Sequence, residues 1–129
     1  MLDYTKTFSS FSVDDAVKAK EFYSQTLGLD VNDIPGMEGL LRINFKDGNS
    51  LMIYQKPDHV PATFTVFNFH VKDVEKTVDE LTKKGVRFEI YDMPGIKTDS
   101  KGIARGEEMP TIAWFKDPAG NILSVIEEQ

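Results

Sequence analysis

The stretch Phe115–Leu123, "FKDPAGNIL", has a shorter copy at Phe45–Leu51, "FKDGNSL". Each copy joins two stretches that resemble strands, and each contains Asp, Gly and Asn, which tolerate the backbone angles of tight turns. Both copies therefore predict a hairpin of two antiparallel strands. Their recurrence indicates that the chain is a duplicated module.

The similarity continues upstream of each hairpin. "FSVDDAVKAKEFY", starting at Phe11, aligns with "FHVKDVEKTVDEL", starting at Phe69. Both stretches predict a strand followed by a helix whose first turn is capped by an Asp carboxylate. The cap is Asp14 or Asp15 in the first module, and the second helix is expected over Asp73–Lys84.

The two modules predict the same order of elements, which is strand, helix, strand, strand, strand. The first has strands at residues 7–13, 29–33, 39–45 and 51–56 and a helix ended by Gly28, and the second has strands at residues 64–71, 86–92, 111–115 and 121–127. We therefore expect an α+β fold, with one domain over residues 1–129 made of two βαβββ modules at about residues 1–57 and 62–129. The stretch Met93–Pro110 is long enough to be a lid, a binding loop or a disordered segment.

The composition excludes several classes of protein. The net charge is −6, and the 15 basic residues are scattered among 21 acidic ones, which disfavours nucleic-acid binding. There is no apolar run near the ~20 residues of a membrane span, and the first ten residues do not resemble a signal peptide. The chain has no cysteine, so disulfides and thiolate chemistry are excluded. A cytoplasmic protein is expected.

Two motifs resemble those of a known family. The first helix carries Val13-Asp14-Asp15, Phe22-Tyr23 and Leu27-Gly28-Leu29, and the last hairpin carries "F-x-DPxGN" from Phe115. With tandem βαβββ modules, these motifs resemble the glyoxalase / bleomycin-resistance / extradiol-dioxygenase group, also called the vicinal oxygen chelate superfamily. The resemblance implies a curved mixed sheet, with helices on the convex side and a small-molecule cavity on the concave side.

The resemblance also implies where a divalent metal would bind. In most enzymes of this family two ligands lie about seven residues before the helix-capping Asp, and the others lie four residues after the turn Gly. Those positions are Phe8, Val66, Met52 and Ser124 here. Apolar side chains and a single hydroxyl are poor metal ligands. We therefore expect no metal and no other cofactor, with a divalent metal held by displaced ligands as the alternative.

The same positions locate the cavity wall, because residues two apart in a strand share a face. The family's cavity also includes the residue three before the turn Asp, which is Trp114. The expected ligand-binding residues are Phe8, Ser10, Arg42, Asn44, Met52, Tyr54, Asn68, Ile112, Trp114 and Ser124. The opposite set is apolar and should pack against the helices: Phe11, Val13, Leu51, Ile53, Phe67, Phe69, Leu123 and Val125. The guanidinium of Arg42 would favour an anionic group.

Each of these residues has a purely structural interpretation as well. Phe8 and Trp114 could fill the space between the half-sheets, and Arg42 could pair with Glu38. His70 could be a hydrogen-bonded residue at a strand end or a base, and His59 could be a surface residue or reach over the cavity mouth. The remaining charged run is a solvated surface or part of a lid: Asp99, Lys101, Arg105, Glu107 and Glu108.

The sequence favours a small-molecule-binding protein of the bleomycin-resistance type, whose ligand is amphipathic with an anionic or aromatic group. One alternative is a metal-dependent lyase, isomerase or dioxygenase with displaced ligands. A second is an interaction subunit with a closed cavity. No catalytic residue is assigned, because no nucleophile, histidine and carboxylate can be placed together. A homodimer is expected, because family members commonly dimerise and the edges of two half-sheets invite pairing.

Overall fold

The structure, a computed structural model, describes residues 1–128. The chain divides into two compact units at Val60–Pro61. Unit 1 contains, in order, β1 (Ser9–Val13), α1 (Ala16–Glu21), a π-helical segment (Phe22–Thr26), β2 (Asp30–Ile34), β3 (Met37–Asn44) and β4 (Ser50–Gln55). Its four strands form one sheet in the order β1-β4-β3-β2, in which β1 and β4 are parallel and the other pairs are antiparallel.

The first helix begins and ends where its sequence indicates. The carboxylate of Asp15 accepts hydrogen bonds from the N–H groups of Val17 at 3.0 Å and Lys18 at 3.1 Å, so Asp15 and not Asp14 is the cap. The last turns widen into the π-helical segment, and Gly28 ends it with a φ of 72°. The buried ring of Tyr23 lies in this segment.

Alternate residues of the unit 1 sheet form its core. Val13, Leu41, Ile43, Leu51 and Ile53 are each at most 3% exposed. The strand positions between them are exposed or half-buried. This is the pattern of a sheet with one face packed on helices and the other face open, as the alternation predicted.

Unit 2 contains β5 (Thr65–Val71), α2 (Val74–Lys83), β6 (Asp92–Met93), β7 (Ile96–Lys97), β8 (Ile103–Ala104), β9 (Ile112–Lys116) and β10 (Ile122–Glu127). Its main sheet has the order β5-β10-β9-β8, and β6 and β7 form a separate small hairpin. Asp73 caps α2 by accepting from the N–H of Lys76 at 3.0 Å. Leu123 and Val125 are buried as predicted, while Phe67 and Phe69 are half-buried.

The strand predicted at residues 86–92 is wrong. Within it only Phe88 makes a bridge, to Phe115, and the N–H of Glu89 donates to the carbonyl of Trp114 at 2.8 Å. The outer position of the sheet is taken by β8, which pairs with β9. Val86 and Phe88 are still buried. The alternating pattern of this stretch therefore predicts correctly which side chains are buried, but not that the stretch pairs as a strand.

The stretch Met93–Pro110 is partly built into unit 2. Ile103 and Ala104 within it are buried at 1% exposure, and Gly102 before them is buried too. Charged residues then tie the stretch to α2: Arg105 pairs with Asp99 and with Glu75 at 3.0 Å, and Lys101 pairs with Asp79 at 3.1 Å. Three residues of the predicted charged run therefore form an ion-pair network.

The network perturbs the pKa values of its members. Burial raises the pKa of Asp99, but hydrogen bonds from the N–H of Ile103, from Arg105 and from the N–H of Lys101 together outweigh it, so the pKa lies below its ordinary value. The hydrogen bond to Asp79 raises the pKa of Lys101. Both shifts favour the charged forms, so the network holds this stretch on α2 at neutral pH.

The observed architecture confirms the expected α+β class, with two mixed four-stranded sheets and two α-helices among residues 1–128. None of the helices in this described part is long and apolar enough to cross a membrane.

Candidate functional site

The open face of the unit 1 sheet brings three of the predicted residues into one row. Ser10 on β1 pairs in register with Met52 on β4, and Met52 pairs with Arg42 on β3. Asn32 on β2 completes the row beside Arg42. Ser10 and Arg42 are exposed and Met52 is half-buried, so a cation stands beside an apolar side chain on an accessible surface.

Two further predicted residues flank this row. Asn44 lies one step along β3 on the same face, opposite Ser50, and Tyr54 lies one step along β4, opposite Ser12 and Leu40. Phe8 differs from its prediction, because β1 begins at Ser9 and the Phe8 side chain is 64% exposed before it. Phe8 therefore does not lie in a strand of this sheet.

Arg42 makes no hydrogen bond or ion pair with any side chain of residues 1–128. The alternative in which it pairs with Glu38 is not observed in this part of the chain. Two other surface cations of unit 1 have partners: Lys20 binds Asp33 at 2.7 Å, and Lys56 binds Asp58 at 2.5 Å. The guanidinium of Arg42 is thus an unneutralised charge on the sheet face, with all its donors available.

The corresponding face of the unit 2 sheet carries a second row of predicted residues. Asn68 on β5 pairs in register with Ser124 on β10, and Ser124 pairs with Trp114 on β9. The hydroxyl of Ser124 donates to the Asn68 side-chain carbonyl at 2.5 Å. Ser124 is fully buried while Asn68 is exposed, and the hydrogen bond occupies the Asn68 side-chain oxygen, whereas its N–H₂ group makes no hydrogen bond with residues 1–128.

The indole of Trp114 is fixed on two sides. Its Nε1–H donates to the hydroxyl of Thr65 at 3.1 Å, and the ring of Tyr91 packs against it edge-to-face with centroids 5.5 Å apart. Burial raises the pKa of the Tyr91 phenol, and the charge of Glu89 adds to this increase while Lys116 opposes it. Tyr91 is therefore a neutral aromatic side chain beside Trp114 at physiological pH.

A β-bulge changes the face predicted near Val66. Thr65 pairs with Ile122 but Phe67 pairs with Leu123, so β5 has one extra residue at this point. Strict alternation along β5 would place Thr65 and Asn68 on opposite faces of the sheet. The hydrogen bond that Thr65 accepts from the Trp114 indole shows instead that Thr65 lies on the face of Trp114 and Asn68. Ile112, at the next position of β9, is buried at 9% exposure and pairs with Ile126.

Sequence reasoning missed several residues of these faces. Ser12, Asn32 and Leu40 follow from the same alternation and could have been found by extending it. Tyr91 lies outside any strand, and no sequence signal places it on Trp114. His59 reaches the unit 1 sheet, where its Nδ1 lies 2.6 Å from the Ser12 hydroxyl, whereas the exposed His70 makes no hydrogen bond or ion pair with the described residues.

The positions at which the family would hold a metal lack suitable donors. Phe8, Met52 and Val66 offer no hard ligand, and the Ser124 hydroxyl is bonded to Asn68. Among residues 1–128, no three His, Asp or Glu side chains come close enough to share a metal ion. The residues at these four positions do not fit the family's metal centre.

A cleft of about 600 Å³ lies elsewhere in unit 1, between α1 and the β2–β3 hairpin. Apolar side chains dominate its lining, and its Lys20 and Asp33 neutralise each other. None of the predicted ligand-binding residues lines it. Leu41, which lines it, belongs to the buried face of the sheet, so this cleft and the row of Arg42 lie on opposite faces.

Comparison with known proteins gives one family and many similar structures. A model of the Glyoxalase/Bleomycin resistance protein/Dioxygenase superfamily matches residues 3–125. TnmS3, an antibiotic binding protein from Streptomyces sp. CB03234, is 26% identical with a TM-score of 0.70, over 99% of this chain and 100% of that one. A glyoxalase/bleomycin resistance protein from the same organism is 28% identical with a TM-score of 0.62, over 93% and 99% of the chains.

A third structure shares the fold alone. Lactoylglutathione lyase from Agrobacterium tumefaciens is 18% identical with a TM-score of 0.66, over 96% of this chain and 94% of that one. A comparison with curated proteins finds no match. The similar structures therefore include a binding protein and an enzyme.

Proposed function

Since this chain belongs to the Glyoxalase/Bleomycin resistance protein/Dioxygenase superfamily, we propose that it binds a small amphipathic molecule and does so without the metal ion typical of the family's enzymes. The ligand carries an anionic group and an aromatic or apolar body. This proposal rests on the position of Arg42. Its guanidinium is exposed in the middle of a sheet face and has no partner among residues 1–128.

The surroundings of Arg42 favour an amphipathic anion. A guanidinium presents several N–H donors in a plane that matches a carboxylate, phosphate or sulfonate. Met52 beside it offers a polarizable apolar surface that adapts to ligand shape. A ligand with an anionic group on an apolar body satisfies both side chains, and Ser10 and Asn44 add hydrogen-bonding groups on the same face.

The unit 2 face, considered by itself, suits an aromatic group. Trp114 is held by Thr65 and Tyr91, so its indole loses little conformational freedom when it contacts a ring. The N–H₂ group of Asn68, oriented by Ser124, is a donor for an ester, ketone or amide oxygen. An apolar surface with a few oriented polar groups is typical of small-molecule sites.

Two further observations support binding over metal catalysis. TnmS3, which is 26% identical, is an antibiotic binding protein, so capture of a small molecule occurs on a closely related fold. Phe8, Val66, Met52 and Ser124 stand where the family's metal ligands would be, and they supply no good ligand set. We therefore propose that neither a metal nor another cofactor is needed.

The test uses 8-anilino-1-naphthalenesulfonate, a fluorescent probe with an anionic group on an aromatic body. Arg42→Ala is expected to weaken its binding about 10- to 100-fold, because a hydrogen bond to a charged group contributes ~1.5–3 kcal/mol. Fluorescence titration gives the dissociation constant. Lys46→Ala is the matched control, because it removes an exposed cation from the turn between β3 and β4 instead of the sheet face.

The control is expected to bind the probe as the native protein does. Treatment of the native protein with EDTA is also expected to leave the dissociation constant unchanged. If both substitutions weakened probe binding equally, the loss would be explained by the change in net charge, and the proposed role of Arg42 would be contradicted. Loss of binding in EDTA, restored by a divalent cation, would contradict the metal-independent proposal.

We also propose that the protein forms a homodimer. Met1, Leu2 and Tyr4 are exposed apolar residues that precede β1, and β1 is an outer strand of its sheet. Outer strands present unpaired backbone groups that commonly pair with a second copy. Light scattering after size exclusion is expected to give a mass of twice 14.6 kDa. A single peak at 14.6 kDa that does not change with concentration would contradict this expectation.

A further inference from the structure

Ser12 and His59 form a hydrogen-bonded pair that the binding proposal does not use. The Ser12 Oγ lies 2.6 Å from the His59 Nδ1, although 47 residues separate them in sequence. Ser12 is on β1, and His59 lies in the segment that follows β4. Both side chains are half-buried.

Backbone contacts hold the histidine segment against β1. The N–H of Lys56 donates to the carbonyl of Val13 at 2.9 Å, and the N–H of His59 donates to the carbonyl of Lys56 at 3.0 Å. Thus a tight turn, anchored next to Ser12, sets the position of the imidazole. A nucleophile and base whose geometry is fixed before a ligand arrives need less reorganisation to react.

The pair has the chemistry of an activated nucleophile. When the imidazole carries its proton on Nε2, Nδ1 accepts the proton of the Ser12 hydroxyl. Tyr54 is the cross-strand neighbour of Ser12 on the same face, so their backbones lie one strand spacing apart, about 4.8 Å. We propose that Ser12 is a nucleophile that accepts an acyl group from small activated esters, with His59 as its base.

The reaction balances without another reactant. The Ser12 oxygen attacks the ester carbonyl carbon while His59 takes the hydroxyl proton, and the tetrahedral intermediate then expels the alkoxide or phenoxide, which takes the proton from His59. The products are an acyl-serine and a free alcohol. Water later cleaves the acyl-serine, releasing the carboxylic acid and restoring the hydroxyl.

The expected rate is low. In serine hydrolases a carboxylate orients the imidazole, and removing it costs about 10⁴-fold in rate. Asp58, the carboxylate adjacent to His59, is paired with Lys56 at 2.5 Å. We therefore expect slow acylation that approaches one acyl group per chain, and not rapid turnover.

The test is labelling with a biotinylated alkyl fluorophosphonate, which forms a P–O bond to an activated serine and releases fluoride. Peptide mass spectrometry is expected to locate the adduct on Ser12. His59→Gln is expected to slow labelling at least ~100-fold, the usual scale of general-base assistance, and Ser12→Ala to abolish it. Ser9→Ala is the matched control, because Ser9 is an exposed serine of the same strand whose side chain alternates to the other face.

The outcomes separate a nucleophile from a structural contact. Labelling of Ser12 that depends on His59 and is retained in Ser9→Ala supports the proposal. No adduct on the folded native protein, or equal labelling of Ser9 and Ser12, overturns it and leaves the pair as a hydrogen bond that anchors the segment. Thermal melting of each variant shows that it is folded. The proposal is independent of the binding function, which the sulfonate titration tests separately.

Discussion

Replacing Asp117 with alanine is expected to lower the free energy of unfolding by about 3–5 kcal/mol, because it removes several hydrogen bonds to a charged, buried carboxylate, each of which contributes ~1.5–3 kcal/mol. Asp117 is 4% exposed. Its carboxylate accepts hydrogen bonds from the N–H of Ala119 at 2.9 Å, the N–H of Asn121 at 2.9 Å and the Asn121 side chain at 3.0 Å. The substitution would remove all three of these hydrogen bonds from the turn between β9 and β10.

The duplicated hairpin supplies the control. Asp47 accepts the equivalent bonds from the N–H and the side chain of Asn49 at 2.9 and 3.1 Å, but this turn is exposed to solvent. Water can replace these bonds, so Asp47→Ala is expected to cost about 0.5–1 kcal/mol. Urea denaturation followed by circular dichroism measures both. Equal losses for the two variants would contradict the assignment of the Asp117 effect to the burial of its carboxylate.

Replacing Gly102 with alanine is expected to destabilise the protein by about 2–4 kcal/mol, the sum of a positive-φ penalty and an overpacking penalty. Gly102 has a φ of 89°, and a Cβ there would lie 2.8 Å from the Phe88 Cβ and 3.0 Å from the Glu89 carbonyl oxygen. The neighbouring backbone would have to move. Because the Glu89 N–H bonds to the Trp114 carbonyl, the displacement would reach the strand that carries Trp114.

A substitution at Gly95 measures the positive-φ penalty apart from the overpacking penalty. Its φ is 86°, but a Cβ there would meet nothing within 4 Å. Gly95→Ala is therefore expected to cost only the backbone penalty, about 1–2 kcal/mol. Thermal unfolding of the two variants gives the comparison. A loss for Gly102→Ala no greater than for Gly95→Ala would show that the contacts to Phe88 and Glu89 relax without cost.

Local signals predicted most of the fold. The repeated Asp-Gly-Asn turns, the Asp15 and Asp73 caps and the alternation of β3 and β4 each depend on residues close together in sequence, and the structure has all of them. Duplication strengthened these predictions, because the same patterns occur in both halves of the sequence. The row of Ser10, Met52 and Arg42 followed from this alternation, applied to the positions that the family resemblance implied.

Long-range contacts account for the errors. The outer strand of the unit 2 sheet is β8, which pairs with Ile112 and Ala113 of β9, whereas residues 86–92 reach β9 only through the bridge from Phe88 to Phe115 and one neighbouring backbone hydrogen bond. The bulge opposite Ile122 and Leu123 breaks an alternation that has no mark in the sequence. The contacts of Tyr91 with Trp114 and of His59 with Ser12 join segments that only the folded chain brings together.

We propose above all that this member of the superfamily binds a small molecule without a metal. Native mass spectrometry of tag-free protein purified without chelators measures bound metals and retained organic ligands in one experiment. We expect a metal-free protein that carries a non-covalent organic adduct or takes up the anilinonaphthalene sulfonate when it is added. A stoichiometric divalent metal on each chain, with no uptake of the probe, would contradict the account and indicate a metal enzyme with unfamiliar ligands.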